Sequence, residues 1–239
     1  MKTTKKPKKV FKNSKKETKA KEIKPKINYP IALAISFIIV TFILSFLYYN
    51  DLPSSIITHW GINGNADGYS PKEFGLFLLP LLITGVIILL YFLPKIDPLK
   101  ENINQFRTEY HTLIAVISGF FLYLQIIIII TNLGMNFDIR QLLVPAFAIL
   151  IYSTGALIKK AKRNFFIGIR TPWTISSDLV WEKTHNKAGK LYKASAILCL
   201  IGFFLPELAF FFMIVPLLLA SLGVIIYSYI EYKKEKKAN

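Results

Sequence analysis

The sequence predicts an all-α membrane protein: a six-transmembrane helix bundle with N and C termini cytoplasmic. Three observations carry this. The 239 residues are 53% hydrophobic, yet the net charge is +16. A soluble domain has no good place for both properties. The apolar residues collect in six runs free of Asp, Glu, Lys, Arg and His, at 30–49, 75–93, 112–131, 142–158, 194–205 and 208–230. Most have the roughly 17–25 residues that a helix needs to cross the hydrocarbon core. Finally, Lys and Arg concentrate on alternate connections between the runs, which is the positive-inside pattern.

Taken in order, residues 1–29 hold twelve Lys. This segment reads as a disordered, solvated cytoplasmic tail, with some attraction to anionic lipid. It has no Arg and few aromatics, so no direct nucleic-acid binding is expected. The first run is too long in its apolar core for a cleaved signal peptide, and no small-residue cleavage site follows it. It is read as a retained signal anchor. Helices are the choice throughout, because lipid leaves no partner for an unpaired backbone group. The run of five Ile at 126–130 also lacks the alternation of a barrel strand. The fifth run is short; Pro206-Glu207 is expected to close a tight hairpin, with Lys193 snorkelling at the other end.

The connections give the orientation. The inner side receives 1–29, then Lys95, Lys100 and Arg107, then seven Lys with Arg163 and Arg170 over 159–193, then Lys233, Lys234, Lys236 and Lys237. The outer side holds only Lys72 and Arg140 among five acids. The expected organisation is a tail at 1–29, a first helix pair at 30–93 with an ordered outer loop at 50–74, a four-helix membrane domain at 94–230 with an inner loop at 159–193, and a cytoplasmic tail at 231–239. The expected location is the cell membrane, crossed several times.

The outer loop reads NDLPSSIITHWGINGNADGYSPKEFG. Asn63-Gly64 and Asp67-Gly68 are turn dipeptides and Pro53 and Pro71 bracket the stretch. A compact turn unit is expected, with Trp60 and Tyr69 at the membrane interface. Its candidate site residues are Pro53, His59, Trp60, Gly64, Asp67 and Gly68. His59 and Asp67 are too few for a closed metal site, and His111 and His185 fall on the other side. No metal and no cofactor are expected.

Catalysis is not expected either. Ser177, Asp178 and His185 are close in sequence, but Ser177 and His185 fall on different faces of a short helix, and no Gly-x-Ser-x-Gly elbow is present. No metalloprotease motif or phosphate-cradling loop occurs. The single Cys199 cannot form an intrachain disulfide and reads as a small core thiol. The competing function is a small-solute or lipid transporter, or a membrane-homeostasis protein. Coupled transporters hold ionisable groups in the membrane, and these runs have none; Gln125 is the most polar side chain at mid-span and reads as a helix–helix hydrogen bond.

The inner loop has the most character. Gly168 permits a bend, and Pro172 disfavours helix at the residue before it. Ser176 or Ser177 can cap a helix from Asp178 to about Lys187, with Asp178 and Glu182 near its positive end. Trp181, His185, Ala188 and Tyr192 share a face of it. An interfacial helix in the headgroup layer is the expectation, with Trp173 and Trp181 as membrane anchors and Arg163 and Arg170 on lipid phosphates or a docking partner.

The residue order of this loop, Arg163-Asn164, then Phe166 through Thr174, Ser177, Val180-Trp181, Thr184-His185 and Ala188-Gly189, closely resembles the motif of the SdpI family of bacterial membrane proteins. Asn186 departs from it, where a basic residue is expected after the His. The outer loop resembles a short domain of unknown function found in many SdpI-type proteins, through Leu52-Pro53, Thr58-His59-Trp60, Gly64 and Asp67-Gly68. The resemblance implies an immunity protein that gives self-protection against a membrane-active peptide toxin. It also implies signal transduction, in which toxin presence is relayed to a cytoplasmic repressor. The implied partners are membrane lipids, the toxin and the repressor. The implied partner- or lipid-binding residues are Arg163, Asn164, Gly168, Arg170, Thr171, Pro172, Trp173, Ser177, Trp181, Thr184 and His185.

Overall fold

The structure is a computed structural model that describes residues 28–238. The expected disordered tail lies, but for Asn28 and Tyr29, outside the described residues. Helix α1 (Tyr29–Leu47) leads into an antiparallel hairpin of β1 (Ser55–Trp60) and β2 (Ala66–Pro71), then α2 (Lys72–Phe92), the short α3 (Lys100–Asn104), α4 (Arg107–Asn132), α5 (Ile139–Lys160), the short α6 (Pro172–Ser176), α7 (Asp178–Cys199), the single turn α8 (Ile201–Phe204) and α9 (Ala209–Ala238). The all-α expectation is corrected by the hairpin. The outer turn unit is ordered, as expected, but it closes by strand pairing. Its register is irregular on either side of His59, where an added Cβ on the facing Gly68 would come within 2.7 Å of the His59 Cβ.

Among the described residues, five helices are long and apolar enough to cross a membrane, those at α1, α2, α4, α5 and α9. The run at 194–205 is not a separate element. It forms the last turns of α7 and then α8, so the helix expected to end near Lys187 continues without a break to Cys199. Helix α9 likewise runs on to Ala238 through the segment read as a tail. Large side chains such as Leu219 (65% exposed) and Ile226 (61%) face outward from the bundle. Apolar surface on this scale suits lipid, not water.

The first half packs α1 and α2 on α4; the second packs α7 between α5 and α9, and α4 meets α5 at the junction. Proline chemistry explains one contact in the first half. Pro80 lies inside α2 and has no N–H for the carbonyl of Leu76, four residues back. That carbonyl accepts instead from Ser45 Oγ at 2.8 Å and from Gln125 Nε2 at 3.1 Å. Gln125 is fully buried and joins α4 to both α1 and α2, which meets the helix–helix expectation.

In the second half, α5 and α7 approach through glycines. A Cβ on Gly189 would lie 2.5 Å from the Lys159 Cβ and 2.8 Å from the Gly155 carbonyl. Small residues let membrane helices come this close. At the hairpin end of the bundle, Asn132 of α4 donates to the Ile57 carbonyl (3.0 Å) and accepts from the Ile57 N–H (2.8 Å), pairing with the free edge of β1. Asp138 caps α5. Hydrogen bonds from Arg140 hold the Asp138 carboxyl below its usual range. Arg140 also lies against the hairpin turn at Gly64, whose φ is +79°.

Candidate functional site

The inner motif folds into a single hydrogen-bonded module against the start of α7. It begins with Asn164, whose side chain is fully buried. The amide donates to the carbonyls of Lys162 and Ile167 and accepts from the N–H groups of Phe166 and Ile167. All four hydrogen-bonding positions of the amide are used. This closes the chain into a knot that no other residue type reproduces. Asp97, 2% exposed, ties the knot to the preceding inner connection. Its two oxygens accept from Phe165 N–H at 2.9 Å and Leu99 N–H at 2.7 Å. Asn102 adds a bond to the Arg163 carbonyl at 2.7 Å.

Next come Gly168 and His185. Gly168 has φ +115°, and an added Cβ would lie 2.5 Å from His185 Nε2. Only glycine meets both conditions. With the backbone this close, Ile169 N–H donates to His185 Nε2 at 3.0 Å, and His185 Nδ1 lies 2.8 Å from the Trp181 carbonyl. An Nε2 that accepts leaves the proton on Nδ1, which donates to that carbonyl. The ring stacks on Trp181 at 4.0 Å and 13°, and the indole N–H donates to the Ala161 carbonyl at 2.8 Å. Burial lowers the His185 pKa to about 4, partly offset by the bond to Trp181. This histidine is neutral and structural at neutral pH.

Helix α6 starts with a capping box. Thr171 Oγ1 accepts from Thr174 N–H, and Thr174 Oγ1 accepts from Thr171 N–H. Pro172 occupies the first turn, where its missing N–H has no cost. Ser177 caps α7 through Val180 N–H and donates to Glu235 Oε1 of α9 at 2.8 Å. Thr171 meets Ser228 of α9 at 3.1 Å. Glu231, 5% exposed, pairs with Lys183 at 2.9 Å and Lys234 at 2.8 Å. The C-terminal end of α9 is thereby latched to the motif. Arg163 Nη1 donates to the Ile175 carbonyl. Its Nε lies 2.8 Å from Asp178 Oδ1 as an ion pair, without the alignment of a hydrogen bond.

These placements divide the predicted site residues. Asn164, Thr171, Trp181, Thr184 and His185 are buried, with Gly168 packed on the His185 ring. They form the scaffold. Trp181, at 2% exposed, is therefore not a membrane anchor, and the Trp181–His185–Ala188 face packs in the protein core, not in the headgroup layer. Both corrections have one cause. The loop at 161–171 folds back over the first turns of α7 and covers its apolar face. Arg170 and Pro172 are exposed and Trp173 and Ser177 half-buried. Arg170 braces the loop through the Phe165 carbonyl at 2.6 Å, and Trp173 packs on Tyr229 at 5.0 Å.

In the hairpin unit, Pro53, His59 and Asp67 are exposed and Trp60, Gly64 and Gly68 half-buried. His59 and Asp67 form an exposed hydrogen-bonded pair across the strands. Among the described residues, no group of three or more His, Cys, Asp or Glu is placed to hold a metal. The sequence reading missed Asp97, Asn102, Asn132 and Glu231. The one available signal was the presence of acids, Asp97 and Glu231 among them, in two short segments that also carry Lys.

Residues 160–228 match the model of the SdpI/YfhL protein family, and residues 36–84 match a domain of unknown function (DUF1648). Immunity protein SdpI of Bacillus subtilis (strain 168) is 28% identical over 203 residues, covering 84% of this chain and 95% of that protein. No solved structure matches the chain significantly. The family match begins at the last residue of α5 and ends three residues before Glu231, so it takes in the Asn164–His185 part of the module but not Asp97, Asn102, Glu231 or Glu235. The chain is thus a multi-pass plasma-membrane protein that carries an SdpI/YfhL family segment behind a DUF1648 domain.

Proposed function

We propose that this is a membrane immunity protein that protects its own cell from a membrane-active peptide toxin. The observation that carries this is the similarity to Immunity protein SdpI along 84% of the chain. The protein crosses the membrane six times, with residues 194–205, the end of α7 and α8, as the short fifth crossing and both termini cytoplasmic. The Lys/Arg asymmetry of the connections supports that orientation. The motif module is then cytoplasmic. Exposed Arg170, Lys187 and Lys190, with half-buried Trp173 beside them, are the surface that meets a partner. The buried members hold that surface in shape. A cytoplasmic repressor is the partner class that the relay reading requires, and the basic surface suits an acidic segment on it.

The test uses toxin-sensitive cells that express the full chain. Arg170→Glu and Trp173→Ala should lose relay to a reporter under the repressor's control, with membrane levels unchanged. Both touch the motif from its surface and leave the Asn164 and His185 bonds intact. Wild-type signalling by both variants would remove this surface from the mechanism. Failure of the wild-type chain to protect against any peptide toxin tested would remove the immunity reading itself.

A further inference from the structure

Helices α7 and α9 pack side by side but place the edge of the membrane at different depths. Lys183 of α7 pairs with Glu231 at 2.9 Å, and Glu231 directly follows the apolar run of α9. This pair marks the end of the hydrocarbon on the motif side of α9. Beyond it α9 presents Ile226 (61% exposed) and Leu222 (58%) to lipid. Along the same stretch α7 exposes Asn186, Lys187 and Lys190, with Lys193 half-buried. Counted along α7 from Lys183, the three lysines Lys187, Lys190 and Lys193 lie ~6, ~10 and ~15 Å deeper. The last depth is half of a ~30 Å hydrocarbon core. Farther on, Ser195 Oγ donates to the Pro216 carbonyl at 3.0 Å, which keeps the two helices in step to within about one turn. The exposed face of α7 turns apolar only from Ala194, through Ile197 and Leu198.

Snorkelling does not remove this mismatch. Lysines on α7 lean toward the start of the helix, and so toward the motif. Lys193 nevertheless holds its Nζ over the Tyr152 ring of α5 at 4.8 Å. Tyr152 lies ~10 Å before Lys159, where the apolar run of α5 ends. An ammonium at that depth is costly unless it is paired or solvated. Among the described residues, no acid stands within ion-pair distance of Lys187, Lys190 or Lys193. Asp178 is taken by Arg163, and Glu182, the other acid of α7, lies more than a turn nearer the motif than Lys187.

We propose that this face of α7 is a docking notch for anionic lipid, whose phosphate headgroups descend ~10 Å along the helix to meet Lys187, Lys190 and Lys193. Charge complementarity names the occupant. Three unpaired cations line the notch, and Lys159 of α5 stands beside Gly189 at its rim. The short crossing is the same feature seen from its other end. Residues 194–205 cover ~18 Å as helix, and a leaflet thinned by ~10 Å brings the core to nearly that length. The notch keeps Lys187 and Lys190 in contact with water, as their part in a partner surface requires. It does not depend on which side of the membrane the motif faces.

The test places a spin label at Ala194→Cys, beside Lys190 and Lys193, or at Leu222→Cys, a position of similar depth on α9. Both sites are exposed, and the native Cys199 is buried. The full chain is reconstituted in vesicles of mixed phosphatidylglycerol and phosphatidylcholine, whose headgroups are resolved by phosphorus NMR. The Ala194 label should shorten phosphorus relaxation, more for phosphatidylglycerol than for phosphatidylcholine. The Leu222 label, ~10 Å farther from any phosphate, should not. Lys187→Gln, Lys190→Gln and Lys193→Gln together should abolish the difference between the two lipids. Equal phosphorus relaxation from the two labels overturns the proposal, as does equal relaxation of the two lipids by the Ala194 label. An Ala194 label that a water-soluble nickel relaxant reaches without any effect on phosphorus marks a water-filled cleft and also overturns it. So does dipolar coupling between Ala194 labels with neither nickel nor phosphorus contact, which identifies a second copy as the cover. The comparison of the two labels decides the question even if the triple lysine variant does not fold.

Discussion

At the scale of single residues, the motif depends on groups that satisfy one another and leave little for a ligand. His185 is the clearest case. It is 1% exposed, accepts from Ile169 and stacks on Trp181. Its pKa is about 4 in the folded chain, against about 6.5 when unfolded. Between these values the unfolded state binds the proton and the folded state does not. Stability from this residue is therefore complete above pH ~6.5, declines as pH falls, and is lost near pH ~4. The difference corresponds to ~3 kcal/mol for a fully buried ring. Thermal unfolding in detergent should show this acid-side loss, and His185→Gln should flatten it. A wild-type profile that is level from pH 7 to pH 4 would exclude a neutral buried His185.

At the scale of elements, the kink chemistry of α2 makes a non-additive prediction. Gln125→Leu removes one of two donors to the Leu76 carbonyl and should cost ~0.6–2 kcal/mol, the range for interhelical polar bonds. Pro80→Ala restores an N–H to that carbonyl from within α2. The double variant Pro80→Ala with Gln125→Leu should therefore lose less than the two single changes combined. Strict additivity in a double-mutant cycle would show that Leu76 is not the shared acceptor. The same element logic explains the length of α7. Nothing breaks the helix between Ser177, its cap, and Cys199, so the amphipathic start and the apolar end form one rod. Gly189 sits where that rod crosses α5.

At the scale of the whole molecule, the orientation proposal is open to a direct measurement. Cysteines at Asn63 in the hairpin turn and at Lys187 on α7, both exposed, should react differently with an impermeant maleimide on intact cells. Asn63→Cys should label and Lys187→Cys should not. Equal labelling would reverse or break the six-crossing map. The latch between Glu231, Glu235 and the motif also joins the last helix to the module on one side of the bundle. A change at the module surface thus has a rigid route into α9.

The linear sequence by itself determined the class of protein and most of its elements. Uncharged runs of bilayer length can only be helices in lipid, and that constraint acts on each segment alone. The same holds for the cap at Ser177, which is a local bond. The ordered outer unit was legible from its turn dipeptides, but strand pairing was not, because Asn132 that completes it lies 75 residues away from Ile57. Tertiary structure alone decided which face of α7 is buried. Periodicity placed Trp181, His185 and Ala188 on one side. A fold-back loop, a lipid surface and a neighbouring helix are equivalent to that pattern. The choice fell to Asn164, Asp97 and Gly168, whose backbone contacts bring the loop onto the helix, and contacts between distant segments leave no period in a sequence.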